Sequence, residues 1–343
     1  MPPRHPPRHQ VPLAPLTSLR LGGPAGTLVE ATTADEVVAA VRAAGDDLLL
    51  LGGGSNLVLA DAGWPGTVVL LRSRGIRVTG DLLVAEAGEP WDELVARTVA
   101  EGWSGLESLS GIPGLTGATP VQNVGAYGQE VADTVAWVDA YDRVSGETAR
   151  IGAAGCRFGY RDSLFKHTDR WVVLRVAYEL AQTGKSAPVR YAELATALGV
   201  EVGAVAPLAD VREAVLALRR GKGMVLDPAD PDTWSVGSFF TNPILSGAQL
   251  AEFENRAGGP YPSWPAEQGT KLSAAWLIQH AGFHRAYGGR TVRVSAKHTL
   301  ALTHRGGGTT AELVALAREI RDGVRDRFGV VLRAEPRLVG VTL

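Results

Sequence analysis

The sequence predicts an α+β protein in two parts: a strand-dominated first half and a second half in which helices alternate with short strands. Three observations carry this. Short apolar runs separated by turn residues fill the chain from about Thr27 to Leu180. Helical periodicity takes over beyond about Pro188. Glycine, 42 of 343 residues, gathers in loops without a fixed period, which excludes a fibre. At roughly 150 residues per domain the length allows about two domains.

The first part opens with a strand at Thr27–Ala31. Thr33 and Glu36 carry the spacing of a capping box, and Val37, Val38 and Val41 then mark one helical face. Leu48–Leu51 reads as a buried strand and Leu57–Leu59 as another, which makes a small β-α-β unit ending near Leu71. Strands follow at Leu82–Ala87, Val135–Tyr141 and Val172–Leu180, with a hairpin turn at Ser145-Gly146 and one helix over Trp91–Glu101. Residues 181–188 read as a linker. Beyond it helices are expected near 190–198, 208–220, 246–256, 271–280 and 309–327, with strands at Val292–Val294, Leu300–Thr303 and Val331–Arg333.

Composition narrows the function. With 34 basic and 36 acidic residues the formal charge is −2, so a nucleic-acid partner is not expected. Cys156 is the one cysteine, which rules out an intrachain disulfide framework and multi-cysteine metal centres. The seven histidines form no H-E-x-x-H pattern, and no metal is expected. No apolar run approaches the roughly 18 residues that span a membrane. Residues 1–15 carry Pro, Arg and His without an apolar stretch; they read as a disordered tail and not as a signal peptide. A cytoplasmic protein is the expectation.

Two glycine loops suggest the ligand. LGGGSNLVL (51–59) follows a strand, and consecutive backbone N–H groups in such a turn can cradle a pyrophosphate. The dinucleotide fingerprint G-x-G-x-x-G fails because Leu57 stands at its last glycine and a strand, not a helix, follows. The P-loop lysine is absent too. A tight strand-to-strand turn would explain this motif alone. The second loop, within 105–128, is rich in glycine and nearly uncharged, so one elongated ligand threaded along both is the stronger reading.

Six segments in order carry a resemblance: LGGGSNLVL, GIPGLTGATPVQNVGAYGQE, FGYRDSLFK, GSFFTNP, KLSAAWLI and AEPRLVG. Together they resemble the UDP-N-acetylenolpyruvoylglucosamine reductases (UDP-N-acetylmuramate dehydrogenases), flavoenzymes of bacterial peptidoglycan synthesis, from about Leu16 to the C-terminus. The resemblance implies a two-part FAD-binding domain of vanillyl-alcohol-oxidase type over 16–183 (subdomains 16–71 and 72–183) and a C-terminal α+β substrate-binding domain over 184–343. FAD would lie on Gly52, Gly53, Gly54, Ser55, Asn56 and Leu57 of the first loop. From the second it would meet Pro113, Gly114, Gly117, Thr119, Gln122, Asn123 and Gly125. Neither loop holds His or Cys, so the flavin is expected to be non-covalent, with NADPH as hydride donor and a monomer as the working unit.

The implied reaction turns an enolpyruvyl ether into a lactyl ether. Hydride reaches the β-carbon, negative charge grows at the adjacent carboxylate, and the α-carbon takes a proton. Such a site needs a cation or acid at the carboxylate and a proton donor. Arg161 matches the first need, since a guanidinium stays charged and can meet a carboxylate bidentately. Glu335 matches the carboxyl that helps hold developing charge, and Ser238 the proton donor. Taken alone, each has a plainer explanation: an Arg161–Asp162 pair, a surface strand glutamate and a turn serine. Tyr127, Tyr191, Lys222, Asn242 and Tyr261 match substrate-holding positions. Pro188–Tyr191 and the helices after it match the longer family form, whose tyrosine (here Tyr191) covers the nucleotide. Lys222 suits a phosphate, although Arg219-Arg-Gly-Lys222 also reads as a solvated helix end. A sugar or lactone oxidase of the same fold, or a silent binding module, would lack the combination of GSFFTNP and AEPRLVG with all three reacting residues.

Overall fold

The computed structural model describes residues 6–343; Met1–His5 of the expected tail lie outside the described residues. The chain forms two compact units. One comprises the residues through Val11, then Ala25–Gly53 and Pro65–Val225; the other comprises Pro12–Pro24, Gly54–Trp64 and Leu226–Leu343.

The first unit holds two short two-stranded sheets and two large ones. One has the strand order Arg8–Pro12, Pro24–Ala31, Trp64–Leu71, Leu48–Leu51, and its last two strands run parallel, as a β-α-β unit requires. The other is antiparallel: Glu147–Gly152, Val135–Asp142, Trp171–Glu179, Leu82–Glu86, Ile76–Thr79. The helix Ala34–Ala44 packs Val37 and Val41 on Val69 of the first sheet and on Val172 and Leu174 of the second. Its N-cap Thr33 accepts from the Glu36 N–H (3.2 Å). The Glu36 carboxylate turns instead to Thr32, accepting from its N–H and its hydroxyl at 2.7 Å each, so the expected reciprocal box forms one residue out of step. The expected linker folds in: Ala181–Gln182 pairs with Trp103–Ser104, and buried Ser186 exchanges hydrogen bonds with Ala206. The helices Ala192–Leu198 and Leu208–Gly221 complete this unit.

The second unit packs the helices Gly247–Ala257, Ala274–His280 and Thr310–Phe328 around one apolar core that includes Phe239, Phe253, Leu277, Ile320 and Phe328. Ser246 and Thr309 each form a complete capping box, with Gln249 and Glu312. Val292–Val294 pairs with Leu302–His304. The expected strand at Val331–Arg333 does not form a ladder: that segment is extended, and regular pairing waits for Arg337–Val339, which runs parallel to Leu57–Leu59. Only Leu332 of the three side chains is buried, with Val331 and Arg333 exposed.

The N-terminal segment corrects an expectation. Arg8–Pro12 is an edge strand, Leu13 is fully buried and Ala14–Leu16 forms a helical turn. The few apolar residues of a basic, proline-rich stretch leave no periodic pattern, yet Leu13 finds a complete core site. Removing residues 1–15 therefore deletes a strand pairing and a buried leucine, and burial of one leucine contributes about 1.5–3 kcal/mol. The thermal midpoint should fall by several degrees, as differential scanning calorimetry would read; an unchanged midpoint would show that the segment does not pack.

His304, at 6% exposure, gives the second unit a pH response. Its Nδ1–H donates to the Leu19 carbonyl (3.0 Å), and its Nε2 accepts from the Gly308 N–H (3.2 Å), so the neutral ring uses both nitrogens. Burial holds its pKa below 6.5. The unfolded chain then binds more protons than the folded one, and stability rises with pH. Its contribution is complete above pH ~6.5 and is lost as pH falls through the depressed folded value. Urea denaturation against pH should show this loss, and His304→Gln should flatten the curve over that window.

Candidate active site

The second glycine loop is built by close backbone approach. A Cβ on Gly53 would lie 2.8 Å from the Gly114 Cα, and one on Gly117 would lie 2.4 Å from the Ala87 Cβ. Gly114 itself has φ +124°, open only to glycine without strain. The Gly114 carbonyl accepts from the Trp91 N–H that opens the helix Trp91–Ala100, fixing the loop on a rigid element. Thr119 is buried, and its hydroxyl accompanies the fully buried Tyr178 hydroxyl at 2.9 Å. Asn123 is buried at φ +45°. Its amide nitrogen donates to Glu130 (2.7 Å) and to the Gly159 carbonyl (3.0 Å), while its oxygen accepts from the Ala132 N–H. Pro113, Gln122 and Gly125 are half-buried on the same stretch.

The first loop leads from the Leu48–Leu51 strand through Gly52 and Gly53, then Gly54, Ser55 and Asn56, directly into the strand Leu57–Leu59. Gly54 has φ +60°, and its carbonyl accepts from the Ser18 N–H (3.1 Å). A Cβ there would fall 2.4 Å from the Leu16 carbonyl. The two loops meet backbone to backbone where Gly53 passes Gly114. No acidic residue lies within 51–57 or 112–128. A side-chain-free turn rich in N–H groups and lacking carboxylates fits a pyrophosphate. The buried Thr116 hydroxyl, which has no partner among the described residues, adds one further polar group to this loop.

Arg161 stands at φ +54° beside this loop. It donates to the Gly125 carbonyl (2.7 Å) and the Asn123 carbonyl (3.4 Å) and lies 3.7 Å from a Glu130 oxygen. It does not pair with Asp162, which accepts from the Ser163 N–H and sits 3.8 Å from His167.

Tyr127, Tyr191 and Lys222 come together in the same unit. The two tyrosine rings meet edge to face at 5.6 Å, and the Lys222 ammonium lies 5.5 Å over the Tyr127 ring and 2.6 Å from Glu193. Burial pushes the Tyr127 phenol up to about 12, so it stays a hydrogen-bond donor. Tyr191 is 46% exposed at the start of the helix Ala192–Leu198. Arg219 was legible only as part of a basic run. Its Nε is shut off from solvent without a partner among the described residues, its Nη2 donates to the Met224 carbonyl, and lost hydration pulls its pKa to about 10. That end of the helix is not simply solvated. Only the i, i+3 spacing of Arg219 and Lys222, on one helical face, hints at this in the sequence.

In the second unit Ser238 and Glu335 are neighbours across a short antiparallel junction. Ser238 bridges to Ala301 and Phe240 to Ala334, and the Glu335 N–H donates to the Phe239 carbonyl (2.9 Å). Asn56 joins them: its carbonyl accepts from the Arg337 N–H (3.0 Å), and its amide nitrogen reaches the Glu335 carbonyl at 3.5 Å. Asn242 is engaged differently. Its side-chain oxygen accepts from the Ala274 N–H at the start of the helix Ala274–His280. Tyr261 donates to Glu254 (2.6 Å) and packs edge to face on Phe253.

These two loops and their strand-turn-strand path define a flavin-binding fold without a Rossmann helix. Residues 25–152 match a family described as an FAD-binding domain, and residues 228–339 match the C-terminal domain of UDP-N-acetylenolpyruvoylglucosamine reductase. The UDP-N-acetylenolpyruvoylglucosamine reductase of Salinispora arenicola is 60% identical, with 96% of this chain and 95% of that protein covered. That of Streptomyces coelicolor is 57% identical over 98% of this chain and 91% of the relative. The crystal structure of the Thermus caldophilus reductase shares the fold, with a TM-score of 0.69 at 23% identity, covering 98% of this chain and 99% of that one. The chain belongs to the UDP-N-acetylenolpyruvoylglucosamine reductase family.

Alanine at Gly53 must displace the Gly114 backbone. Gly53→Ala should leave the fold intact and lower the flavin retained per chain, measured as the ratio of absorbance near 450 nm to protein absorbance on the order of several-fold below the parent. Full flavin loading would remove the loop contact from the argument for the FAD site.

Proposed function

We infer that this chain carries out its family's reaction through Arg161, Ser238 and Glu335. As a flavin oxidoreductase of this family it reduces UDP-N-acetylglucosamine enolpyruvate to UDP-N-acetylmuramate, a step of peptidoglycan precursor synthesis, with FAD and NADPH. Bound FAD supplies the two-electron relay between NADPH and the β-carbon of the enolpyruvyl group. The observation that supports the residue assignment is the contact of the GSFFTNP and AEPRLVG segments, which brings the backbones at Ser238 and Glu335 near one another through an isolated bridge and one hydrogen bond.

The roles follow from chemistry. Arg161, oriented by two carbonyls, presents its charge to the substrate carboxylate. Glu335 shares a hydrogen bond with that carboxylate as charge develops there. Ser238 delivers the proton to the α-carbon; a hydroxyl is a weak acid in water, but beside a forming carbanion it is a competent donor. Tyr127, Arg219 and Lys222, whose ammonium also pairs with Glu193, are proposed to meet the diphosphate and its attached ring, and Tyr191, half exposed beside Tyr127, to fold over it. Asn242 and Tyr261 complete the proposed substrate set, with Asn242 also holding the start of a helix.

Gly52–Leu57 with Pro113, Gly114, Gly117, Thr119, Gln122, Asn123 and Gly125 are proposed to hold the flavin without a covalent bond. The functional division into a cofactor part, 16–183, and a substrate part, 184–343, is likewise a proposal; the compact unit that contains the second glycine loop extends to Val225. No helix among the described residues is long and apolar enough to cross a membrane. A cytoplasmic monomer fits the soluble nucleotide substrates and the single, buried cysteine.

Ser238→Ala separates this assignment from a turn role. Flavin reduction by NADPH should run at the parent rate, while reoxidation by the enolpyruvyl substrate should slow by roughly 10²–10⁴. Ser238→Cys should recover part of the loss. Stopped-flow traces of the two half-reactions decide it, and parent-rate reoxidation in Ser238→Ala would refute the proton-donor role.

A further inference from the structure

Asp232 is a carboxylate with a role that the reaction's own residues leave unexplained. It lies in the helical turn Pro231–Thr233 and is only 5% exposed. A buried carboxylate must be hydrogen-bonded. The Ser295 hydroxyl donates to it at 2.7 Å and the Ala296 N–H at 3.1 Å, and an Arg305 nitrogen lies at 3.2 Å.

The Ser295 hydroxyl has one hydrogen, and Asp232 takes it. Its lone pairs then face the other way, where they accept the N–H groups of Lys297 (3.0 Å) and His298 (3.1 Å). Thus one negative charge fixes the direction of a whole turn. Asp230 reinforces it by accepting from the Lys297 ammonium and from the Asp232 N–H. The loop closes where the Ser295 N–H meets the Ala301 carbonyl (2.8 Å) and the Ala301 N–H meets the His298 carbonyl (3.1 Å). Ala301 is the bridge partner of Ser238, and the Leu300 carbonyl accepts from the Phe239 N–H at 2.8 Å.

We propose that Asp232 is a positioning residue for the reaction, acting through Ser295 and the Ser295–Ala301 loop to hold Ser238 in place for proton delivery. The proposal rests on the reading of Ser238 as the proton donor. One side of the Ser238 segment is set by the Ala334–Glu335 pairing; the other side is this loop. A displacement near 1 Å at a reacting group can lower a rate by about 10², so an irregular loop there needs a fixed, charge-assisted support.

The test uses the FAD-bound protein with Asp232→Asn and Ser295→Ala, each alone and combined with Ser238→Ala. Flavin reduction by NADPH should stay within about twofold of the parent. Reoxidation by the enolpyruvyl substrate should slow on the order of 10–100-fold, with no further slowing when either change is added to Ser238→Ala. Amide hydrogen exchange at Lys297, His298 and Ala301 should accelerate about tenfold or more in both single variants, a readout that does not depend on turnover. Parent-rate reoxidation in both variants, unchanged exchange in the loop, equal slowing of both half-reactions, or full additivity with Ser238→Ala would each overturn the proposal. Ser238→Ala reoxidising at the parent rate is a separate result, which would remove the underlying reading and this inference with it. If Asp232→Asn fails to fold, Ser295→Ala still breaks the relay without unpairing Arg305.

Discussion

Phe239 fixes the segment that carries the proposed proton donor, Ser238. The Phe239 N–H donates to the Leu300 carbonyl, its carbonyl accepts from the Glu335 N–H, and its ring is fully buried beside Phe240 at 5.1 Å. The backbone is thus pinned from both sides while the side chain is locked in the core. Ser238 and Glu335 are the immediate neighbours of those two hydrogen bonds, so neither can be misplaced without breaking one. A shift of one residue in this register would break both hydrogen bonds and take the Phe239 ring out of its buried place. The apolar core therefore specifies the polar site, with a ring burial that costs about 3–5 kcal/mol to lose.

The flavin loops follow the opposite logic. Where Ser238 is held by a large neighbour, Gly53 and Gly114 are useful because they have no side chains. Their backbones approach so closely that a Cβ on Gly53 would stand 2.8 Å from the Gly114 Cα, and the peptide groups are the proposed recognition surface. On that proposal the G-x-G-x-x-G rule can fail without loss of an anion site. In the Rossmann arrangement a helix N-terminus supplies the partial positive charge; here the first loop runs straight into the Leu57–Leu59 strand, and the turn's own N–H groups are proposed to take that part.

Local pattern made most elements legible. Leu48–Leu51, Leu57–Leu59 and Val292–Val294 fall at their expected limits because each is a short apolar run flanked by turn formers. The long helix Thr310–Phe328 falls within one residue of its expected range. What escaped was decided at long range. Leu13 lies in a basic, proline-rich stretch with too few apolar residues for any periodicity to announce its burial. Val331–Arg333 has strand composition, but it makes an isolated contact, the Thr241 N–H to the Arg333 carbonyl, and the ladder forms later, at Arg337–Val339. Asp232 escaped for the same reason: its partner Ser295 lies 63 residues away, and an aspartate in a turn ordinarily faces water. The proposed reacting residues rest on the segments that carry them, not on spacing.

Charge pairing separates the arginines that hold the fold from those proposed to meet substrate. Arg150 with Asp139, Arg170 with Asp142 and Arg212 with Asp92 each make two charge-assisted hydrogen bonds to one carboxylate. Such a guanidinium is already neutralised and oriented, and a second anion gains little by approaching it. Arg161 is oriented by the carbonyls of Asn123 and Gly125, which carry no net charge, with Glu130 farther off at 3.7 Å. Arg219 is oriented by the Met224 carbonyl. Carbonyls fix direction without cancelling charge, so the field of Arg219 is proposed to remain available to a diphosphate, while Arg161 also stands in ion-pair range of Glu130. A near-neutral chain can in this way serve a multiply charged substrate, because the choice of partner, not the number of arginines, decides where positive potential survives.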